Sequence, residues 1–432
     1  MTNSSKPQGF NTLAVHAGQI VEEPNLSRGV PVHRTSSYVF KDAKHASDLF
    51  GLRQLGNIYT RLMNPTTDIL EKRMAALEGG VGALATASGT AAIFYSIINI
   101  AENGHEVISS RNLYGGTYTM FNDILPKFGI KIVFADYDNP DSFKSAVNSN
   151  TRAIFLESIG NPRLGIPDFE RIAAIADEYH LPLIVDSTFT TPYLFRPIDH
   201  GASIVAHSLT KWIGGHGTGV GGIVIDSGKF DWNDPKFKMF VDPEPSYHGL
   251  RFSQDLGPLQ EMAYILRMRL VALRNLGACI SPDNAWMFLQ GLETLSLRME
   301  RHCENSIQVA RYLSEHGRVR WVRYPGLDCD PSFEMAQRYF RRGMSGGVVV
   351  FGLDGTSQMA EKFIDNLKLF SHLANVGDAK SLVIHPASTT HSQLTQQQRE
   401  EAGIPDELIR LSVGIEDIED IVDDMENAFA SL

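Results

Sequence analysis

The chain has 432 residues, 43% of them hydrophobic and 21% charged, which suits two cored domains better than one small one. A formal net charge of −11 and a pI of about 5.7 argue against the basic face that nucleic-acid binding needs, and no Lys/Arg-rich run makes a local exception. Apolar runs such as ALATA at 83–87 and GGIVI at 221–225 fall far short of the ~20 residues of a bilayer span, and the polar start MTNSSKPQGFNTLAVHAG has no signal core, so a cytoplasmic protein without membrane association is expected.

Residues 1–60 are polar, rich in Gly and Pro, and aperiodic, which reads as an extended arm without a core of its own. From about residue 66 a regular alternation begins. Thr67 to Leu77 predicts a helix with Leu70, Met74 and Leu77 on one face. The strand ALATA follows, then Ser88-Gly89-Thr90 and a helix over 89–102. EVISS (106–110), KIVFA (131–135) and AIFLE (153–157) predict strands, and Gly116 to Lys127 a helix. Asp168 caps a helix whose apolar stripe is Phe169, Ile172, Ile175, Ala176 and Tyr179. LPLIVD (181–186), ASIVAH (202–207) and GGIVI (221–225) complete a set of short strands alternating with helices, the pattern of a mainly parallel sheet covered on both faces.

Residues 226–262 break this rhythm. The stretch is aromatic, charged and interrupted by Pro, and reads as a long excursion over the surface, either a passive insertion or a lid. From about 263 the chain turns helical. A strand pair, WVRYP (321–325) and GGVVVFGL (346–353), a helix near 358–369 and a last helix with Ile415, Ile418, Val422, Met425 and Phe429 at helical spacing form a second, smaller α+β unit. Cys279, Cys303 and Cys329 make no CxxC pair, and the 14 histidines include no HExxH, so free thiols and no metal are expected.

Three segments carry chemistry. In HSLTKW (207–212), Lys211 follows Ser208 and Thr210 directly after a buried strand, where α/β sheets bind ligands and where hydroxyls can donate to a phosphate. In LPLIVDSTF, Asp186 closes an apolar strand. A carboxylate there needs a partner, and a protonated pyridine nitrogen would be one. Ser88-Gly89-Thr90 opens a helix, where glycine permits close approach and amides bind phosphate. Gly217 to Gly222 formally contains GxGxxG, yet it precedes a strand instead of following one, so a dinucleotide site is not expected.

With these residues in view, the chain resembles the pyridoxal 5′-phosphate (PLP)-dependent enzymes of Cys/Met metabolism, a family that includes cystathionine γ-synthase, cystathionine lyases, methionine γ-lyase and the homoserine-ester sulfhydrylases. The family's motifs occur in order: YTRLMNPT (59–66), ASGTAA (87–92), LYGGT (113–117), ESIGNP (157–162), VDSTFTTP (185–192), HSLTKWIGGHG (207–217), HPASTTH (385–391) and RLSVGIE (410–416). The resemblance implies an aspartate-aminotransferase-like, fold-type-I α/β protein with a mainly parallel seven-stranded sheet. It divides the chain into an arm (1–60) reaching a neighbouring subunit, a large PLP-binding domain (61–265) and a small C-terminal α+β domain (266–432).

The resemblance also implies roles. Lys211 is the Schiff-base lysine and proton shuttle, and Asp186 pairs with the pyridine nitrogen. Ser88, Gly89, Thr90, Ser208 and Thr210 hold the phosphate, joined by Tyr59 and Arg61 of a neighbouring subunit. Tyr114 stacks on the ring and assists proton transfer, Asn161 contacts its hydroxyl side, and Arg410 clamps the substrate α-carboxylate with Asn375 nearby. The excursion, GLETLSLRMERH (291–302) and NVGDAKSLVIHPASTTH (375–391) are similar to the homoserine-ester sulfhydrylase branch, with Gly116 where methionine γ-lyases carry cysteine and Asn375 where many lyases carry serine. The expected reaction is therefore γ-replacement on O-acetylhomoserine by sulfide or a thiol, in a homotetramer built as a dimer of dimers. A C–S lyase, a cystathionine γ-synthase and an O-succinylhomoserine sulfhydrylase are the alternatives.

Overall fold

The computed structural model describes residues 7–21, 25–390, 392, 399 and 403–432, so His391, the end of the HPASTTH motif, lies outside the described residues. Each apolar run read as a strand forms one: β1 (Gly82–Thr86), β2 (Glu106–Ser110), β3 (Lys131–Ala135), β4 (Thr151–Glu157), β5 (Leu183–Asp186), β6 (Ile204–Ser208) and β7 (Gly222–Asp226). A second set follows: β8 (Val319–Arg323), β9 (Val348–Leu353), β10 (Ser371–His372), β11 (Leu382–Ile384) and β12 (Leu408–Ser412).

The chain divides into two compact units. One comprises Met1–Ile100, Ser203–Thr210 and Thr218–Glu293. In it β1, β7 and β6 lie in that order and antiparallel. The helix Pro65–Glu78 beside them has a strong start and stop. Asn64 accepts the Thr66 N–H, Pro65 opens the first turn, and Gly79 closes it at φ 77°. Leu70, Met74 and Leu77 are buried as their spacing implied. The first 60 residues hold two short helices, Phe10–His16 and Ala43–Phe50, that aperiodic sequence did not reveal. Residues 30–33 are pinned to the rest of this unit: Thr66 Oγ1 takes the His33 N–H and donates to the Pro31 carbonyl, and Trp286 Nε1 donates to that of Val30.

The excursion is a correction. It is not spread over the surface but sends Trp232, Phe237, Phe240, Tyr247 and Phe252 into the interior. Trp232 stacks on Phe240 at 4.5 Å and on Tyr264 at 5.1 Å between ring centroids. Large aromatic areas anchor a segment that has almost no regular structure.

The other unit comprises Ala101–Ala202, Lys211–Gly217 and Thr294–Leu432. Its parallel strands lie in the order β5-β4-β2-β3. Ala153 to Leu156 of β4 are fully buried, the mark of a strand covered on both faces. β10-β11-β12-β9-β8 form its second sheet, with Val349, Phe351, Ile409 and Leu411 packed against Val309, Leu313, Phe363, Met425 and Phe429 of three helices. One expected helix is not continuous. Residues 115–128 pass from a short α-helix through a π turn into a 3₁₀ turn, because Pro126 lacks the N–H an α-helix needs. The architecture is α/β with a smaller second sheet. Among the described residues, no helix is long and apolar enough to cross a membrane.

Candidate active site

Asp186 and Glu157 end the neighbouring parallel strands β5 and β4 and stand opposite one another in register. Asp186 Oδ1 accepts the Thr188 N–H at 2.9 Å. Glu157 Oε1 accepts the Tyr114 N–H at 2.7 Å, which fixes the backbone from which the Tyr114 ring stands 48% exposed. Burial, and then the charge of Asp186, push the Glu157 carboxyl well above the ordinary carboxylate range. Glu157 escaped the sequence reading, although an acid closing an apolar strand is the same signal that marked Asp186.

Lys211, Asn375, Arg410 and Asn161 form one chain of hydrogen bonds in the second unit. Lys211 Nζ donates to Asn375 Oδ1 at 2.5 Å. Arg410, on β12 and 6% exposed, donates to the Asn375 carbonyl at 3.4 Å and to Asn161 Oδ1 at 3.2 Å. Burial lowers the Lys211 pKa to about 8. The positive charge of Arg410 adds to this and Asp186 opposes it. Burial also lowers Arg410 to about 10. Among the described residues, no carboxylate forms an ion pair with Arg410. A buried guanidinium facing neutral oxygens is a ready clamp for a ligand carboxylate.

The residues expected at the phosphate belong to the first unit. Ser88 Oγ caps the helix Gly89–Ile98 on the Ala91 N–H. A Cβ on Gly89 would lie 2.6 Å from the Ser208 Cβ, so only glycine lets this helix start meet the end of β6. Thr90 is exposed beside it. The Thr210 hydroxyl is already engaged: it takes the Gly221 N–H at 3.1 Å and lies 3.3 Å from the Gly221 carbonyl. Arg61 sits over the Tyr59 ring at 5.1 Å with its buried Nε lacking a partner. Gly222 opens β7, so the formal GxGxxG does precede a strand.

These side chains fit PLP. Lys211 is a buried amine whose pKa is lowered to about 8, Asp186 is a strand-end carboxylate that would suit a pyridinium nitrogen, and in the first unit the hydroxyl-lined helix start at Gly89 would suit a phosphate. This donor set is the chemistry of a PLP-dependent enzyme. The profile of the family "Cys/Met metabolism PLP-dependent enzyme" matches residues 11–430, and the chain belongs to that family.

It is 51% identical over 438 residues to an O-acetyl-L-homoserine sulfhydrylase of Leptospira meyeri, covering 100% of this chain and 99% of the relative. It is 49% identical to O-acetyl-L-homoserine sulfhydrylase 1 of Thermus thermophilus, covering 98% and 100% of the two chains. A Campylobacter jejuni protein described as an O-acetylhomoserine (thiol)-lyase, whose crystal structure contains a pyridoxyl-lysine phosphate, superposes with a TM-score of 0.95 at 40% identity, covering 98% of this chain and 100% of that one.

Proposed function

We propose that this chain catalyses γ-replacement, converting O-acetyl-L-homoserine and hydrosulfide to L-homocysteine and acetate, with methanethiol giving L-methionine in the same way. The observation that carries the reading is the set of relatives named O-acetyl-L-homoserine sulfhydrylase at 44% to 51% identity over nearly the whole chain. Gly116 supports it. A Cβ there would lie 2.5 Å from the Tyr114 ring edge, so a cysteine of the lyase type would displace that ring.

When bound, PLP supplies the electron sink for charge released from the substrate carbons. Asp186 would hold the ring nitrogen protonated. Ser88, Gly89, Thr90, Ser208 and Thr210 would hold the phosphate, with Tyr59 and Arg61 delivered by a neighbouring subunit. Arg410 grips the α-carboxylate with two donors, and Asn161 orients both the guanidinium and the ring's hydroxyl side. Burial lowers the Lys211 pKa to about 8, which brings the freed amine within reach of acting as a base near neutrality. It takes the α-proton and then a β-proton, while Asn375 Oδ1 holds it in line. Tyr114 would cover the bound ring and assist proton transfer, and by limiting water at the γ-carbon as acetate leaves it would favour addition of the sulfur nucleophile.

A subunit-crossing arm accords with the exposed apolar side chains of the first 60 residues, with Val39 98% and Ile20 78% accessible. The proposal includes a homotetramer of paired dimers and a cytoplasmic location, in keeping with three free cysteines. The deciding experiment is a time course of homocysteine, 2-oxobutanoate and ammonia from O-acetylhomoserine, with and without sulfide. Homocysteine should dominate when sulfide is present. If 2-oxobutanoate dominates at saturating sulfide, or methionine alone is consumed quickly, the chain is a lyase; faster turnover of O-succinylhomoserine would replace the ester assigned.

A further inference from the structure

Arg298 lies on the helix Leu295–Glu315, inside the stretch GLETLSLRMERH that none of the roles above uses. It is buried, and burial lowers its pKa to about 10. Its Nη1 donates to the Trp212 carbonyl at 2.6 Å, its Nη2 to the Ile213 carbonyl at 3.2 Å and its Nε to Thr294 Oγ1 at 3.4 Å. Trp212 and Ile213 are the two residues that follow Lys211.

The turn they form is held from several sides. The Gly215 N–H donates to the Lys211 carbonyl at 2.7 Å, and the Ala379 N–H to the Gly215 carbonyl at 2.9 Å. Gly215 has φ +72°, and a Cβ there would lie 2.1 Å from Arg298 Nη1. Gly377, at φ +80°, packs where a Cβ would come within 2.6 Å of the Trp212 nitrogen. Both glycines serve a left-handed backbone and a close approach at once. Asn375, which receives the Lys211 amine, is two residues from Gly377.

We propose that Arg298 is a positioning residue for Lys211: its guanidinium fork, fixed on the carbonyls of Trp212 and Ile213, sets the backbone from which the lysine amine reaches Asn375. A lysine side chain is a flexible stem, so its aim depends on the backbone at its root and on the contact at its tip. Asn375 supplies the tip contact and Arg298 fixes the root. A planar fork restrains two successive peptide groups together, and an ammonium, as a point charge, cannot.

The inference rests on Lys211 being the reactive lysine. Its test is read on that amine, in the full-length chain stripped of cofactor, so its failure leaves the reaction assignment standing. Reductive methylation of Lys211 is followed by mass spectrometry across pH for wild type, Arg298→Lys and Arg298→Met. The wild-type midpoint should lie near 8. In Arg298→Met the released lysine becomes hydrated, and the midpoint climbs toward the ordinary ~10.4, with Arg298→Lys between the two. After reloading with PLP, kcat of Arg298→Met should fall ~10²-fold, the scale of a misplacement by about one ångström, with KM changed far less. Gly215→Ala presses on Arg298 from the other side and should shift the midpoint in the same direction, which provides a reading if Arg298→Met does not fold. A folded variant of either residue that melts lower but keeps the wild-type midpoint overturns the proposal, and so does a loss confined to KM.

Discussion

Half-buried Arg269 of the first unit and buried Arg410 of the second are both cations withdrawn from water, and they are kept in opposite ways. Arg269 donates to Glu71 Oε2 at 2.6 Å and to the Leu62 carbonyl at 2.5 Å, while Glu71 Oε1 takes the Ala85 N–H at 2.9 Å. Every charge there is answered within the chain. Arg410 is bonded to two neutral oxygens and to no carboxylate among the described residues. A closed pair serves the fold, whereas an open cation costs the fold, a cost that the proposed substrate carboxylate would offset. Asp226 shows a third solution. Its Oδ1 accepts the Gly228 N–H, its buried Oδ2 has no partner, and burial raises its pKa to about 7, so it sheds charge by keeping a proton.

The largest expected effect comes from breaking the closed pair. Glu71→Leu should cost ~3–5 kcal/mol of stability, seen as a lower melting temperature, because it strands Arg269. Glu71→Leu with Arg269→Met should recover most of that loss, and turnover per folded molecule should stay near wild type in the double variant. An equal loss in single and double variants would mean that packing, not charge, decides. Next, Arg410→Met should reduce kcat/KM by ~2–5 kcal/mol, mostly through KM, with the melting temperature unchanged or higher. A large drop in melting temperature with KM intact would make Arg410 a structural residue like Arg269.

Asp226 gives a pH test. Its folded pKa of about 7 lies above the ordinary 3.8, so the stability of the proton-bearing form is present below 3.8 and is lost as pH rises through 7. Asp226→Asn should therefore melt higher than wild type at pH 8, and the gap should shrink toward pH 4. A gap that grows toward acid would mean that the ionised form is the favoured one. The smallest effect is expected at Glu157. Because burial and the charge of Asp186 both favour the proton-bearing carboxyl, Glu157→Gln should cost less than the ~1 kcal/mol of an ordinary hydrogen bond in kcat/KM, whereas Glu157→Ala should cost ~1–3 kcal/mol by leaving the Tyr114 N–H without its acceptor. A Gln variant as damaged as the Ala variant would show that Glu157 works as an anion.

β1 to β9 were legible because strands lying against a core are written as short apolar runs, and Asp186 because a carboxylate ending such a run stands out. Asn375 and Arg410 could be placed only through family resemblance. Their partners Lys211 and Asn161 are 164 and 249 residues away in sequence, and no local pattern records such contacts. β12 went unread because Arg410 interrupts its apolar run from the inside. The excursion was misjudged for a different reason. Its aromatic residues have neither helical nor strand spacing, so periodicity could not show that they point inward.

That buried aromatic cluster changes how residues 226–262 will meet a protease. The stretch offers Lys229, Lys236 and Arg251 to trypsin outside any helix or strand, Lys238 at the start of a single helical turn, and several aromatic residues to chymotrypsin. Cleavage nevertheless requires several residues to peel away together, and here they are tied by Trp232, Phe237, Phe240 and Phe252. The rate of nicking in this segment should therefore follow the opening of the surrounding unit, so that a protease acts as a clock for its unfolding.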